Sequence, residues 1–101
     1  MDEKKPEAPP QPQPIPIKAD DQVQAGQFSN VARIWHDGEA FQVDFLVIHA
    51  QPPFGRLLSR IILTPGHAKR LVRALAENVE RYERAHGEIR LPESPHEGYL
   101  Q

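Results

Sequence analysis

Five histidines are the residues of this chain best suited to bind a metal ion or to transfer a proton near neutral pH. No two of them have the spacing of a helical HExxH zinc site, and His67 and His86 lie nineteen residues apart. The other three are His36, His49 and His96. We therefore predict no metal site and no cofactor.

The nucleophilic side chains form no catalytic pattern. The chain has no cysteine, which excludes disulfides, thiolate catalysis and cysteine-based zinc sites. Ser29, Ser59 and Thr64 are not flanked by the glycines of a G-x-S-x-G nucleophile elbow. We expect Ser59 to be a small core-facing residue and Thr64 to cap a helix. The sequence therefore predicts no catalytic residue and no enzymatic activity.

Asp44 is the carboxylate with the most suggestive neighbours. The strands predicted below place it in a cluster with Arg33 and Arg60, directly opposite Arg60. Such cations hold a carboxylate ionised, so a catalytic carboxylate is one interpretation. A structural ion pair between strands is the simpler interpretation.

Charge is distributed unevenly along the chain. Residues 45–76 contain five basic residues and no acidic one, a formal charge of +5, whereas the whole chain carries −2. A block of this kind attracts phosphate groups or an acidic protein surface. We keep two alternatives, a nucleic-acid or anion patch and the docking of an acidic partner or acidic tail. The patch would comprise Arg56, Arg60, His67, Lys69, Arg70 and Arg73.

Alternating apolar and polar residues predict three strands, over residues 28–36, 40–48 and 56–63. Asp37-Gly38 is a two-residue hairpin signal, and a loop centred on Pro52 forms the second connection. The first hairpin would pair Ile34 with Phe41, Ala32 with Val43, Asn30 with Phe45 and Phe28 with Val47. The second would pair Val47 with Leu57, Phe45 with Ser59, Val43 with Ile61 and Phe41 with Leu63. Both registers place one apolar row on the same face.

One long helix is predicted from Pro65 to the residue before Gly87. Thr64 is its N-cap, Pro65 its first residue and Gly87 a left-handed C-cap. An apolar stripe recurs at helical spacing, formed by Ala68, Leu71, Val72, Leu75, Val79 and Tyr82. About 22 residues give a length of about 33 Å, enough to cover the sheet. The predicted fold is α+β, a three-stranded antiparallel meander packed by one long C-terminal helix.

The sheet face away from the helix is also partly apolar in this prediction. A domain of about 64 ordered residues has a marginal core, and an exposed apolar face favours association. We therefore predict a homo-oligomer, most simply a dimer, that forms through this face or through a sheet edge. Asn78 offers an alternative, because it could set the register of a helix–helix contact, although an exposed asparagine is the simpler interpretation. The predicted self-association face consists of Trp35, Leu46, Ile48, Leu58 and Ile62.

Both ends of the chain differ from the predicted domain, residues 28–91. Six prolines fall within residues 6–16, among too few apolar residues to form a core. We predict a disordered proline-rich tail over residues 1–27 and a flexible tail over residues 92–101. The first tail is a solubilising leader or a ligand for a proline-binding groove. With no apolar run near the ~18 residues of a membrane span and no targeting peptide, we predict a cytoplasmic protein without membrane contact.

Three segments resemble a known family. They are FxN at 28–30, FQVDF at 41–45 and SRIILTPGHAKRLVRALAENVERYERAHGEI at 59–89. Together they are similar to a small bacterial and archaeal family of uncharacterised proteins, domain of unknown function 3467, over roughly residues 28–89. The resemblance implies the fold and a cytoplasmic, prokaryotic origin, and it implies no activity.

Three functions from different classes remain open. The first is a self-associating adaptor that binds another, unknown protein. The second is a nucleic-acid-binding accessory protein that uses the basic block 56–73, and the third is a chaperone-like holdase. The adaptor predicts salt-tolerant binding of a protein. The nucleic-acid-binding protein predicts steeply salt-dependent binding of RNA or DNA, and the holdase predicts suppression of aggregation of unrelated proteins.

Overall fold

The computed structural model of the chain describes residues 13–92. Its elements are α1 (Asp21–Ala25), β1 (Val31–His36), β2 (Phe41–His49), β3 (Phe54–Leu63) and α2 (Pro65–His86). The strands form one antiparallel sheet in the order β1-β2-β3. This confirms the predicted α+β class, the antiparallel meander and the long C-terminal helix.

The predicted tails are described only in part. Residues 1–12 and 93–101 lie outside the described residues. Residues 13–20 have no regular structure and are exposed, and the short helix α1 follows them. Regular structure therefore begins before residue 28, the predicted start of the domain.

The first hairpin has a four-residue connection in place of the predicted two-residue turn. The carboxylate oxygen Oδ1 of Asp37 accepts hydrogen bonds from the backbone N–H groups of Glu39 at 2.8 Å and Ala40 at 2.9 Å. The side chain therefore organises the loop as an Asx-turn. Ile34 lies opposite Val43, two positions further along β2 than predicted, so the predicted pairs of this hairpin are wrong. A shift of two leaves every side chain on its predicted face.

The start of β1 also differs from the prediction. Phe28 is exposed and lies outside the strand, which begins at Val31. The side-chain amide of Asn30 instead pairs with the backbone of Ile48, donating from Nδ2 to its carbonyl and accepting from its N–H, both at 2.9 Å. The Asn30 side chain therefore takes the place of the backbone hydrogen bonds that would otherwise extend the β1–β2 pairing to Ile48.

The second hairpin follows the predicted register over half its length. Phe41 pairs with Leu63, and the pairing continues in step to Phe45 and Ser59. A β-bulge then shifts the register by one, so that Val47 lies opposite Arg56. The predicted pair of Val47 with Leu57 is wrong for this reason. A bulge accommodates one extra residue on one strand and increases the local twist.

The ends of α2 follow from the residues at its boundaries. The hydroxyl oxygen of Thr64 accepts a hydrogen bond from the backbone N–H of His67 at 3.2 Å, which confirms the N-cap. At the other end, the N–H of Gly87 donates to the carbonyl of Glu83 at 2.8 Å. Gly87 has φ of 97° and ψ of 166°, so it is not the predicted left-handed helical cap. Its positive φ still favours glycine.

The position of α2 relative to the sheet differs from the expected packing. The helix contacts the sheet mainly at β3, where Ala68 in α2 and Leu63 at the end of β3 are buried. Beyond this first turn the apolar stripe is exposed, and the Leu75 residue is 61% accessible. Among the described residues the buried apolar side chains are Leu46, Leu63 and Ala68. Within residues 13–92, a single chain therefore has almost no hydrophobic core.

Candidate functional site

A cluster of charged side chains on the sheet surrounds Asp44. Asp44 lies on the central strand, directly between Arg33 on β1 and Arg60 on β3, and it is 2% exposed. Arg60 donates from Nε to Oδ1 at 2.9 Å and from one terminal nitrogen to Oδ2 at 3.1 Å. Arg33 donates to the same Oδ2 at 3.0 Å. Both carboxylate oxygens are therefore occupied by charge-assisted hydrogen bonds.

The electrostatics of this cluster suit a structural role. The hydrogen bonds from Arg60, with a smaller contribution from Arg33, lower the pKa of Asp44 although burial opposes the shift. The same contact raises the pKa of Arg60. A carboxylate held ionised beneath two guanidinium groups is a poor general base and has no free oxygen for a substrate. The cluster therefore supports the ion-pair interpretation over the catalytic one.

The predicted self-association face is divided by the structure. Trp35 and Ile62 are exposed and lie on either side of Gln42 in the same row of the sheet. Leu46 is buried, and Ile48 is half-buried. The fifth predicted member, Leu58, is half-buried at the bulge and lines a cleft with Phe45, Ser59 and Val23. Two of the five predicted residues thus lie on a free surface together.

The larger apolar surface of the sheet lies on the other side. It contains Ile34, Val43 and Ile61 in one row across the three strands, with Phe45 in the next row. Ile34, Phe45 and Ile61 are exposed, and Val43 is half-buried. We call these four residues the sheet face. Its apolar side chains have no cover from α2 in the same chain.

A second uncovered apolar surface runs along α2. It consists of Leu71, Val72, Leu75, Val79 and Tyr82, which we call the helix stripe. At its C-terminal end Ile89 lies beside Val79 and Tyr82 in a shallow apolar groove. The backbone N–H of Ile89 is held there by the Glu83 carboxylate at 2.9 Å. The stripe is therefore a continuous apolar surface, fixed in shape at its end.

The sequence pattern placed both surfaces in the core of a single chain. It contains no signal that they stay uncovered, because periodicity indicates an apolar face and not what covers it. Asn78 lies beside the stripe, where its Nδ2 donates to the carbonyl of Ala74 at 2.8 Å. This hydrogen bond within the helix satisfies one of the amide donors without a second helix.

The structure does not bring the predicted basic patch together. Arg60 is engaged with Asp44. Arg56 lies near the far end of β3, about 23 Å along the strand from Leu63 at about 3.3 Å per residue. The remaining members are exposed at the start of α2, namely His67, Lys69, Arg70 and Arg73. None of these four is in an ion pair among the described residues.

The described part of the chain offers no other chemical centre. Between residues 13 and 92 no three histidine, aspartate or glutamate side chains are grouped as metal ligands would be. In the same residues no helix combines the length and the apolar character required to cross a bilayer. The apolar surfaces are therefore the main candidates for function.

Comparison with known proteins identifies the family. A family model described as "Protein of unknown function (DUF3467)" matches residues 1–91, and the chain belongs to this family. The match confirms the resemblance seen in the sequence and extends it beyond residues 28–89, across the proline-rich segment. No curated protein and no solved structure matches the chain.

Proposed function

We propose that this DUF3467 protein is a small, non-enzymatic, self-associating adaptor that works as a homodimer in the cytoplasm of a bacterial cell. One observation carries the proposal, namely that residues 13–92 of a single chain leave both the sheet face and the helix stripe in contact with water. Soluble monomers rarely expose contiguous apolar patches beyond a few hundred Å². Burial of these surfaces between copies removes that unfavourable exposure.

Self-association is tested by light scattering coupled to size-exclusion chromatography. The chain has a mass of 11.5 kDa, and we expect twice this mass at micromolar concentration. A monomeric mass at the highest attainable concentration, with a cooperative unfolding transition, would contradict the proposal.

A surface for the adaptor's protein partner remains after the apolar surfaces are covered. Trp35 and Ile62 flank Gln42, next to the guanidinium groups of Arg33 and Arg60. Tryptophan and arginine are enriched among the residues that dominate binding energy at protein interfaces. A partner with acidic and apolar groups fits this surface, because it can pair with the outer nitrogens of the arginines.

The partner surface can be tested with a matched pair of aromatic variants. Trp35→Ala should weaken retention of the natural partner by at least tenfold in affinity, whereas Phe28→Ala removes an exposed aromatic outside the sheet and should leave it unchanged. Both proteins should keep the dimer mass. Equal retention by the two variants would remove Trp35 from the binding surface.

Nucleic-acid binding remains the second candidate because Lys69, Arg70 and Arg73 are exposed cations at a helix start that lacks acidic residues. Binding through phosphates requires a log–log salt slope that falls by close to one unit for each lost contact. We expect only weak, sequence-independent binding, since no aromatic residue lies among these cations to stack on bases. Submicromolar RNA or DNA binding at 150 mM salt, abolished by alanine at the three positions, would overturn this preference.

The chaperone-like holdase is the third candidate, and the uncovered apolar surfaces of a single chain support it. A holdase uses such surfaces for clients, so it should suppress aggregation of unrelated unfolded proteins. The homodimer we propose buries these surfaces between its own chains. We therefore expect no suppression at concentrations where the protein is dimeric.

A further inference from the structure

Within residues 13–92, two apolar surfaces of one chain remain without a partner, and the elements that carry them are similar in length. The helix α2, at 22 residues, is about 33 Å long, and β2, at nine residues, is about 30 Å long. The helix is therefore long enough to lie along the sheet with its stripe over the sheet face. In the single chain the two surfaces do not meet.

The connection between β3 and α2 is very short. Thr64 is the only residue between Leu63 and Pro65. Its hydroxyl oxygen accepts from the N–H of His67 at 3.2 Å, and its carbonyl accepts from the N–H of Ala68 at 2.9 Å. The ring of Pro65 also fixes φ at this point. These contacts begin the helix one residue after the strand, and in residues 13–92 of a single chain the helix leaves the sheet face uncovered.

We propose that two copies of this chain exchange their long helices, so that the stripe of each α2 lies across the sheet face of the other copy. This inference rests on the proposed self-association and specifies how it is achieved. The two contacts are related by a twofold axis and are identical. The partner that fits each surface is a second copy of the same chain.

The exchange accounts for both surfaces with a single type of contact. A helix–helix dimer would cover the stripe and leave Ile34, Phe45 and Ile61 in water. A sheet–sheet dimer would leave the stripe in water. Beyond its first turn, α2 extends from Leu71 to His86, about 24 Å, and at about 10 Å wide it has a footprint of about 240 Å². Two such contacts bury about 1,000 Å² counted on both partners, about the minimum for a specific interface.

The charge on α2 agrees with this orientation. The Glu80–Arg84 ion pair lies at the edge of the stripe, where Glu80 borders Val79, and both side chains are well exposed. At the rim of the contact they would stay in water when the stripe is buried. Arg81 lies on the outer side of the helix, so it provides a matched control position.

Cross-linking between two marked chains tests the arrangement. The protein has no cysteine, so single introduced thiols are unambiguous. We would coexpress one chain carrying Ile61→Cys with a size-tagged chain carrying Leu75→Cys and oxidise the purified dimer. We expect at least tenfold more of the mixed disulfide-linked product than when Arg81→Cys replaces Leu75→Cys.

Three results would overturn the inference, and they are distinguishable. A dimeric protein in which Leu75→Cys chains link to one another, with no mixed product, indicates a helix–helix interface. Equal mixed products for Leu75→Cys and Arg81→Cys indicate random collision. A monomeric mass by light scattering contradicts the proposed self-association itself.

The wild-type protein gives a second test that requires no variant to fold. In a dimer made from isotope-labelled and unlabelled chains, we expect nuclear Overhauser effects between chains from the methyl groups of Leu75 and Val79 to those of Ile34 and Ile61. Trp35, the only tryptophan, lies on the opposite side of the sheet, so acrylamide should quench its fluorescence equally before and after dimerisation. Interchain effects confined to helix methyls, or a quenching constant that falls on dimerisation, would overturn the exchange.

Discussion

Leu75→Ala distinguishes a chain that folds alone from one that folds by exchange. In a single chain Leu75 is 61% exposed, so its truncation should change the stability by no more than about 0.5 kcal/mol. Across a partner's sheet the same side chain is buried, and truncation of a buried leucine costs about 2–5 kcal/mol. Alanine is the strongest helix former, so no loss of helix propensity contributes.

In a symmetric dimer Leu75→Ala removes two buried leucine side chains, so its cost in free energy is counted twice. Even at the low end, about 2 kcal/mol per chain becomes about 4 kcal/mol per dimer, nearly three orders of magnitude in the dissociation constant. Sedimentation equilibrium measures this constant, and urea unfolding at several protein concentrations measures the linked stability.

Arg81→Ala is the control, since it removes a long side chain from the outer side of the same helix. We expect its dissociation constant within about threefold of the wild type. If Leu75→Ala and Arg81→Ala gave equal, small changes, the stripe would be solvent-exposed in the assembled protein. The reasoning from the uncovered stripe would then be wrong.

Three further predictions concern the rest of the molecule. The arginine contacts lower the pKa of Asp44 below its ordinary value of 3.8, so the unfolded chain takes up the proton first on acidification. The stability from this carboxylate is complete above about pH 5 and is lost as the pH falls through the folded-state pKa. In an acid titration of unfolding, Asp44→Asn should therefore show a weaker loss below pH 4. Asp37 should still contribute to the loss, because its backbone hydrogen bonds also lower its pKa. Asn30→Ala removes two hydrogen bonds and should destabilise the fold by about 1–2 kcal/mol, with faster amide exchange at Ile48. Deletion of residues 1–20 should leave the thermal midpoint within about 3 °C of the full chain, because residues 13–20 are exposed.

The long helix could be predicted in detail because its signals are local. Thr64 and Pro65 set its start, and Gly87 follows its last residue, as the structure has them. These residues act within one turn of the helix, so no knowledge of the remaining fold is needed. The left-handed cap was an exception, because ψ at Gly87 depends on the path of the chain that follows.

The sheet could be predicted in topology and face but not in full register. Moving the first hairpin by two residues keeps the same apolar row on one face, so the hydrophobic pattern cannot distinguish the two registers. The side chain of Asp37 favours the observed register, because its carboxylate accepts hydrogen bonds from the backbone of a four-residue loop. The β-bulge in β3 could not be predicted either. Leu57 and Leu58 are adjacent leucines, so the apolar pattern is the same whichever of them faces inward.

The candidate site was the least predictable part. The pairing of Asp44 with Arg60 could be predicted, because the predicted register of the second hairpin is correct at these residues. Arg33 lies directly opposite Asp44 only in the observed register of the first hairpin, so this pairing could not be predicted. The apolar stripe of α2 indicates that a contact exists, but periodicity carries no information about whether the contacting surface belongs to the same chain.

The single residue between β3 and α2 also bears on how this protein is made in the cell. If Thr64 and Pro65 direct each helix to another molecule, folding is complete only after two chains meet, and its rate rises with the square of the chain concentration. A newly synthesised copy would then present uncovered apolar side chains to proteases and chaperones until it encounters a second one. Translation of several copies from one messenger RNA would shorten that interval.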